Sequence, residues 1–223
     1  MTTVASPPTT ADAFARHAMI ACAVVSPLAL AVPLLLAPYD STLEGEPYIR
    51  GMLAHLDAYT LWSWVGAFGA LTLIPAIFAV AKVARSGRPA LGMTGMILAF
   101  LLAMPFSLTS DDAIYAAART GLDVPTTNKL VTHMSETPTA ILGFTFFLAL
   151  IGFVLLGVAA LRSDAPKWAA VAMIVAPFLV PVAWIAQLGN VAAAVAWIVF
   201  AAASGGIASA LPTPSSRPVE PSR

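Results

Sequence analysis

Apolar residues in this chain do not alternate with polar ones; they come in long unbroken runs separated by short polar intervals. Six runs, near 18–37, 59–81, 90–109, 139–161, 167–187 and 190–210, are long enough to cross a hydrocarbon core of roughly 30 Å, which takes about 20 helical residues. The pattern predicts an all-α fold, a polytopic membrane bundle of six transmembrane helices. The last two runs form a hairpin, because Gln187-Leu188-Gly189-Asn190 leaves room only for a tight turn and supplies Gly and Asn for it. The first run exceeds the apolar core of a signal peptide and no small-residue cleavage site follows Ala37-Pro38-Tyr39, so it is expected to be a retained span.

The longest polar interval is SDDAIYAAARTGLDVPTTNKLVTHMSE, from Ser110 to Glu136. Ser110 or Asp111 is placed to cap a helix over AIYAAART, Gly121 to end it, and Pro125 to open a second. These two short helices are expected to lie at the outer interface and to lid the bundle, with Thr137-Pro138 starting the fourth span. Residues 1–15 and 211–223 are rich in Pro, Ser and Thr without apolar period and read as disordered tails, leaving residues 16–210 as one membrane domain.

Composition agrees with the pattern: 59% of residues are hydrophobic and 10% charged, and the mean hydropathy is +0.86, values of the membrane class. The net charge is zero and no basic cluster is interleaved with aromatics, which excludes nucleic acid as a partner. The lone cysteine, Cys22, forms no intrachain disulfide and no thiolate metal site. With both termini inside, Arg16, Lys82, Arg85, Arg88, Arg162, Lys167, Arg217 and Arg223 fall in the cytoplasm, against Arg50, Arg119 and Lys129 outside. The acids run the other way: Asp40, Glu44, Glu46, Asp57, Asp111, Asp112, Asp123 and Glu136 make the outer face an acidic cap. The expected setting is a bacterial cell membrane.

The segment HLDAYTLW…VARSGRPAL from His55 shares its layout with HMSETPTA…ALRSDAPKW from His133, and Pro33 precedes Asp40 by the same interval as Pro105 precedes Asp112. This suggests an internal duplication. It would bring Asp40, His55, Asp112 and His133 to one outer mouth, with Asp111 and Glu136 beside them. Each also has a plain structural reading: Asp111 and Asp112 as helix caps, the histidines and Trp62, Trp64 and Trp184 as interfacial side chains. Against this stands the position of Asp40 and Asp112, each expected just past a span's C-terminal end, where the helix dipole disfavours a carboxylate by about 0.3–1 kcal/mol.

No Gly-rich phosphate loop, His-Glu-x-x-His, Gly-x-Ser-x-Gly or Cys-x-x-Cys is present, and no charge sits in mid-span, which disfavours a nucleotide-driven pump or an ion path. With Thr109-Ser110-Asp111-Asp112 and nearby Trp and Tyr, the sequence resembles the small multi-span terpene cyclases of microbial meroterpenoid pathways over residues 18–210. It also resembles Ala-rich actinobacterial six-span membrane proteins, for which no activity is implied. The protonating motif Asp-x-Asp-Asp has Thr109 at its first position here. The ionising motif Asp-Asp-x-x-Asp has Tyr115 at its last, so metal-dependent diphosphate ionisation does not carry over.

The cyclase resemblance implies cofactor-free, proton-initiated cyclisation of a prenylated lipophilic substrate, in which a carboxylic acid protonates an alkene or epoxide. Asp112 is expected as the donor, with Asp111 keeping it protonated by like-charge repulsion. Tyr59, Trp62, Phe106, Tyr115 and Trp184 would steady the cations. Two alternatives stay open: a metal-dependent membrane hydrolase using His55, His133, Asp112 and Glu136, and a non-catalytic lipid-binding or accessory subunit. For the second, Gly66-Ala67-Phe68-Gly69 and Gly92-Met93-Thr94-Gly95 would provide close helix packing.

Overall fold

Each apolar run contains a helix in the computed structural model, which describes residues 10–103, 110–138 and 143–213. In chain order the helices are α1 (Thr10–Leu36), α2 (Glu46–Leu53), α3 (Leu56–Gly87), α4 (Pro89–Ala99, extended by a 3-10 turn Phe100–Ala103), α5 (Ser110–Arg119), α6 (Val124–Ser135), α7 (Thr145–Ala160), α8 (Lys167–Ile185) and α9 (Gly189–Ala208). No strand occurs among the described residues. Four helices, α1, α3, α8 and α9, are long and apolar enough to cross a membrane, whereas Pro89–Ala103 and α7 are shorter apolar helices. Helix α1 begins at Thr10, inside the segment read as a tail.

The six apolar helices close into a ring, each packed on its neighbours in the order α1, α3, α4, α7, α8, α9 and back to α1, with α3 also touching α7 and α9. Small residues make this possible. Alanines such as Ala23, Ala79, Ala84, Ala170 and Ala203 are fully buried along the seams. The α4–α7 seam is closest: a Cβ at Gly95 would lie 2.8 Å from the Gly152 carbonyl oxygen, and one at Gly152 would collide with the Ala99 nitrogen. In lipid such backbone approach, rather than a hydrophobic driving force, holds helices together. Gly69, Gly92 and Gly95 all face atoms inside the bundle, while Gly66 has nothing within 4 Å. The motif read as an accessory docking face is therefore largely used internally. Larger side chains fill the centre, where Phe153 meets Phe200 edge to face at 4.6 Å and Trp197 packs beside Phe200.

Outward, the surface is apolar where a soluble protein's would be polar: Trp64, Leu71, Phe78, Ile97, Phe178 and Ile185 are exposed. Prolines inside α1, α3 and α8 remove backbone donors. The buried Ser26 hydroxyl of α1 donates to the Gly69 carbonyl of α3 at 2.9 Å, a cross-helix bond in the same ring seam.

The ring connectivity sorts charge by end. One end holds Arg16, Lys82, Arg85, Arg88, Arg162 and Lys167; the other holds the acids from Asp40 to Glu136 together with α2, α5 and α6.

Candidate functional site

The acidic end is built from three short helices. Gly45, with φ of +66°, turns the chain into α2, and Pro47 sits in its first turn. Ile49 and Met52, three apart, are buried, while Arg50 pairs outward with Glu46 at 2.9 Å. Helix α5 buries Ile114 and Ala117 and ends at Gly121, φ +77°, where the Leu122 N–H closes back on the Ala117 carbonyl. Helix α6 is capped by Asp123, whose carboxylate accepts the Thr126 N–H at 2.9 Å. Hydrogen bonding to Thr126 holds the Asp123 carboxyl below its usual range. The sequence places α5 and α6 well; it carries no expectation of α2.

All four tyrosines of the chain, Tyr39, Tyr48, Tyr59 and Tyr115, meet around Ile49, Met52 and Ile114. Tyr39 lies edge-on to Tyr48 at 6.0 Å, and Tyr59 tilts against Tyr115 at 5.6 Å. Two aspartates face this cluster. The Tyr48 hydroxyl donates to Asp111 Oδ1 at 2.8 Å, and the Tyr59 hydroxyl donates to Asp112 Oδ1 at 3.1 Å.

Asp111 is half-buried and Asp112 exposed. Burial pushes the Asp111 carboxyl above its ordinary range; the Tyr48 hydrogen bond pulls it back, and the charge of Asp112 raises it further. Burial likewise raises the Tyr48 phenol, with the charge of Asp111 and its hydrogen bond adding to the effect. Tyr39 is raised by burial and by Asp111. Burial thus raises the Tyr48 and Tyr39 phenols and the Asp111 carboxyl together.

Both aspartates occupy the first turn of α5, where the helix dipole stabilises negative charge. The dipole cost expected at Asp112 is replaced there by a gain. Asp40 has a different setting. It lies beyond the end of α1, and its Oδ1 accepts the Thr42 N–H at 2.9 Å and the Thr42 hydroxyl at 2.7 Å. This turn is clasped to the α8–α9 connection: Asn190 Oδ1 accepts from Ser41 N–H at 2.8 Å and from its hydroxyl at 2.6 Å, and Asn190 Nδ2 donates to the Tyr39 carbonyl at 2.6 Å. An open depression of about 370 Å³ lies between the two turns, lined by Pro38, Asp40, Leu188 and Asn190 among others.

The histidines also differ. His55 immediately precedes α3 and stacks on Tyr39 at 6.4 Å and 13°, so it belongs to the edge of the tyrosine cluster. His133 sits in the last turn of α6, away from the start of α7, and its Nδ1 lies 2.9 Å from Glu136 Oε2 on an exposed surface. The equivalence that the repeated layout suggests is not reproduced in these local settings. Among the described residues no three His, Cys, Asp or Glu side chains are grouped to hold a metal ion, so the set His55, His133, Asp112 and Glu136 is not assembled there.

Of the aromatic candidates, Tyr59 and Tyr115 are in the cluster. Trp62, one turn along α3 from Tyr59, has a buried indole N–H without a hydrogen-bond partner. Trp184 packs against the main core. Phe106 lies outside the described residues. Tyr39 and Tyr48 were missed from sequence, although Asp111, Ile114 and Ala118 share one helical face and mark Asp111 as the inward acid.

No protein-family model, curated protein or solved structure matches the chain. An all-helical chain with four long apolar helices, an apolar outer surface and charge sorted to its ends has the build of a membrane protein.

Proposed function

We propose that the chain is a six-span protein of a bacterial cell membrane, its basic end and both termini cytoplasmic, that cyclises a prenylated lipophilic substrate without a cofactor. In this reading α4 with its extension and α7 also cross the bilayer, since the apolar runs 90–109 and 139–161 to which they belong have the required length in sequence. α2, α5 and α6 lie on the outer interface. The observation that carries the catalytic reading is the half-buried Asp111 carboxyl, raised in pKa and hydrogen-bonded to Tyr48 of the tyrosine cluster.

Asp111 takes the role of proton donor, and Asp112, exposed and bonded to Tyr59, that of its charged neighbour. This exchanges the two roles expected from sequence. The neutral carboxyl transfers its proton to an alkene carbon or epoxide oxygen. A second alkene's π electrons close the ring onto the resulting cationic carbon, and loss of a proton from the product cation restores the acid, so the reaction is an isomerisation. Tyr59, Tyr115 and Trp62 offer π faces to the cation, and the unpartnered Trp62 N–H offers a donor to a substrate oxygen.

The test uses purified protein in lipid nanodiscs with a farnesylated aromatic and its terminal epoxide. A cyclic isomer of either substrate, carrying one carbon-bound deuterium when the alkene is converted in D2O and absent with Asp111→Asn, supports the reading. No conversion of either substrate, or conversion unaffected in both Asp111→Asn and Asp112→Asn, ends it.

A further inference from the structure

At the basic end the α3–α4 and α7–α8 turns meet backbone to backbone. A Cβ at Gly87 would lie 2.7 Å from the Ser163 nitrogen and 2.8 Å from the Arg162 carbonyl carbon, so only glycine lets the turns approach this closely. The contact brings the chain at Arg88 against the chain at Arg162, with Arg85 in the last turn of α3, Lys82 and Lys167 farther along, and Asp164 as the one acid in these turns. Lys167 is already used: its Nζ donates to the Leu161 and Ser163 carbonyls at the end of α7. The three guanidinium groups are not. Among the described residues the ion pairs are Arg50 with Glu46 and His133 with Glu136, and none involves Arg85, Arg88 or Arg162.

Unpaired arginines brought together at one junction favour an anion, and planar guanidinium donors suit phosphate oxygens. The surface alongside decides which phosphate. From this junction the exposed residues Trp168, Val171, Val175, Phe178 and Val182 continue along α8 at helical spacing, forming one unbroken apolar stripe. Trp168, 60% exposed, stands where the polar turn gives way to that stripe, the usual place for an interfacial indole. A free phosphate uses only the arginines. A phospholipid uses both parts, its headgroup on the arginines and an acyl chain along α8.

We propose that the junction of the α3–α4 and α7–α8 turns is a binding site for an anionic phospholipid, whose phosphate is held by Arg85, Arg88 and Arg162 and whose acyl chain lies on the Trp168–Val182 face. The site is separate from the acidic end and does not depend on the catalytic reading.

The full-length protein in detergent is titrated with phosphatidylglycerol, phosphatidylcholine or inorganic phosphate, with bound lipid counted by native mass spectrometry and thermal stability followed in parallel. Phosphatidylglycerol should bind at least about tenfold more tightly than phosphatidylcholine, and Arg85→Gln/Arg88→Gln/Arg162→Gln should abolish that preference. Arg50→Gln/Arg119→Gln, at the opposite end, should retain it. Val175→Asn should weaken lipid binding without affecting phosphate. If the triple variant does not fold, Arg162→Gln alone is expected to reduce the preference. Equal binding of the two lipids, an unchanged preference in the arginine variants, or phosphate alone giving the full stabilisation would each overturn the proposal.

Discussion

Tyr48 and Asp111, 63 positions apart, are joined by one hydrogen bond of 2.8 Å, and that bond ties α2 to the first turn of α5. It sets the protonation of the acid as well as its position, since the phenol donates to the carboxylate and lowers a pKa that burial raises. Tyr48→Phe should therefore move the loss of cyclisation at high pH to still higher pH. It should also cost about 1 kcal/mol of stability, the usual net worth of such a bond. A pH–rate profile beside a denaturation midpoint checks both, and a limb moving to lower pH contradicts the assignment.

The two aspartates should separate in kinetics. Asp111→Asn keeps size and loses the acid, so turnover should fall at least about 10²-fold. Asp112→Asn, at an exposed carboxylate, should cost much less. Single-turnover measurements on the prenylated substrate distinguish the two, and the reverse ranking restores Asp112 as donor.

Stability carries an independent signature of the same residue. The folded pKa of Asp111 is raised, so its contribution is full below the ordinary carboxylate range and is lost as pH rises through the raised value. Asp123 runs oppositely: its folded pKa is lowered, and its contribution is lost as pH falls through that depressed value. Asp111→Asn should remove the decline between acid and neutral pH and be no less stable than wild type at neutral pH. Thermal midpoints across that range provide the comparison.

The apolar helices were legible because sustained apolarity shows in the sequence without any tertiary contact, and four of them are long enough to cross a membrane. Gly121 and Pro125 marked the α5 and α6 boundaries for a similarly local reason. The tyrosine cluster was not legible. It joins residues 39, 48, 59 and 115 through an eight-residue helix, α2, which buries only Ile49 and Met52. His55 and His133 looked alike because each stands ahead of an apolar run, yet a helix starts at the first and ends at the second, a difference that only Pro125 and Thr137-Pro138 around His133 mark locally.

Packing at the α4–α7 seam gives a sharp contrast between glycines. Gly152→Ala places a methyl group against the Ala99 nitrogen and should cost about 1–3 kcal/mol, the range for overpacking. Gly66→Ala, with open space around it, should be near neutral or slightly stabilising. Unfolding of both variants in the same detergent measures the difference.

Sidedness has its own check. Cysteine at Gly121, with Cys22 replaced by Ser, should label from outside intact cells, while terminal tags should stay protected from external protease. Labelling only after lysis would place the acidic end inside.

The α1–α9 seam is fastened at both ends by residues far apart in sequence. Arg16 donates to the Leu211 and Ser209 carbonyls across 195 and 193 positions, and Asn190 holds Ser41 across 149. A ribosome delivers α1 long before either partner exists. The first helix therefore has one flank bare while the other rests on α3, and the ring closes only when the α8–α9 hairpin emerges. A nascent chain halted before Gly189 would leave that flank of α1 open, so closure of the seam reports that the α8–α9 hairpin has emerged.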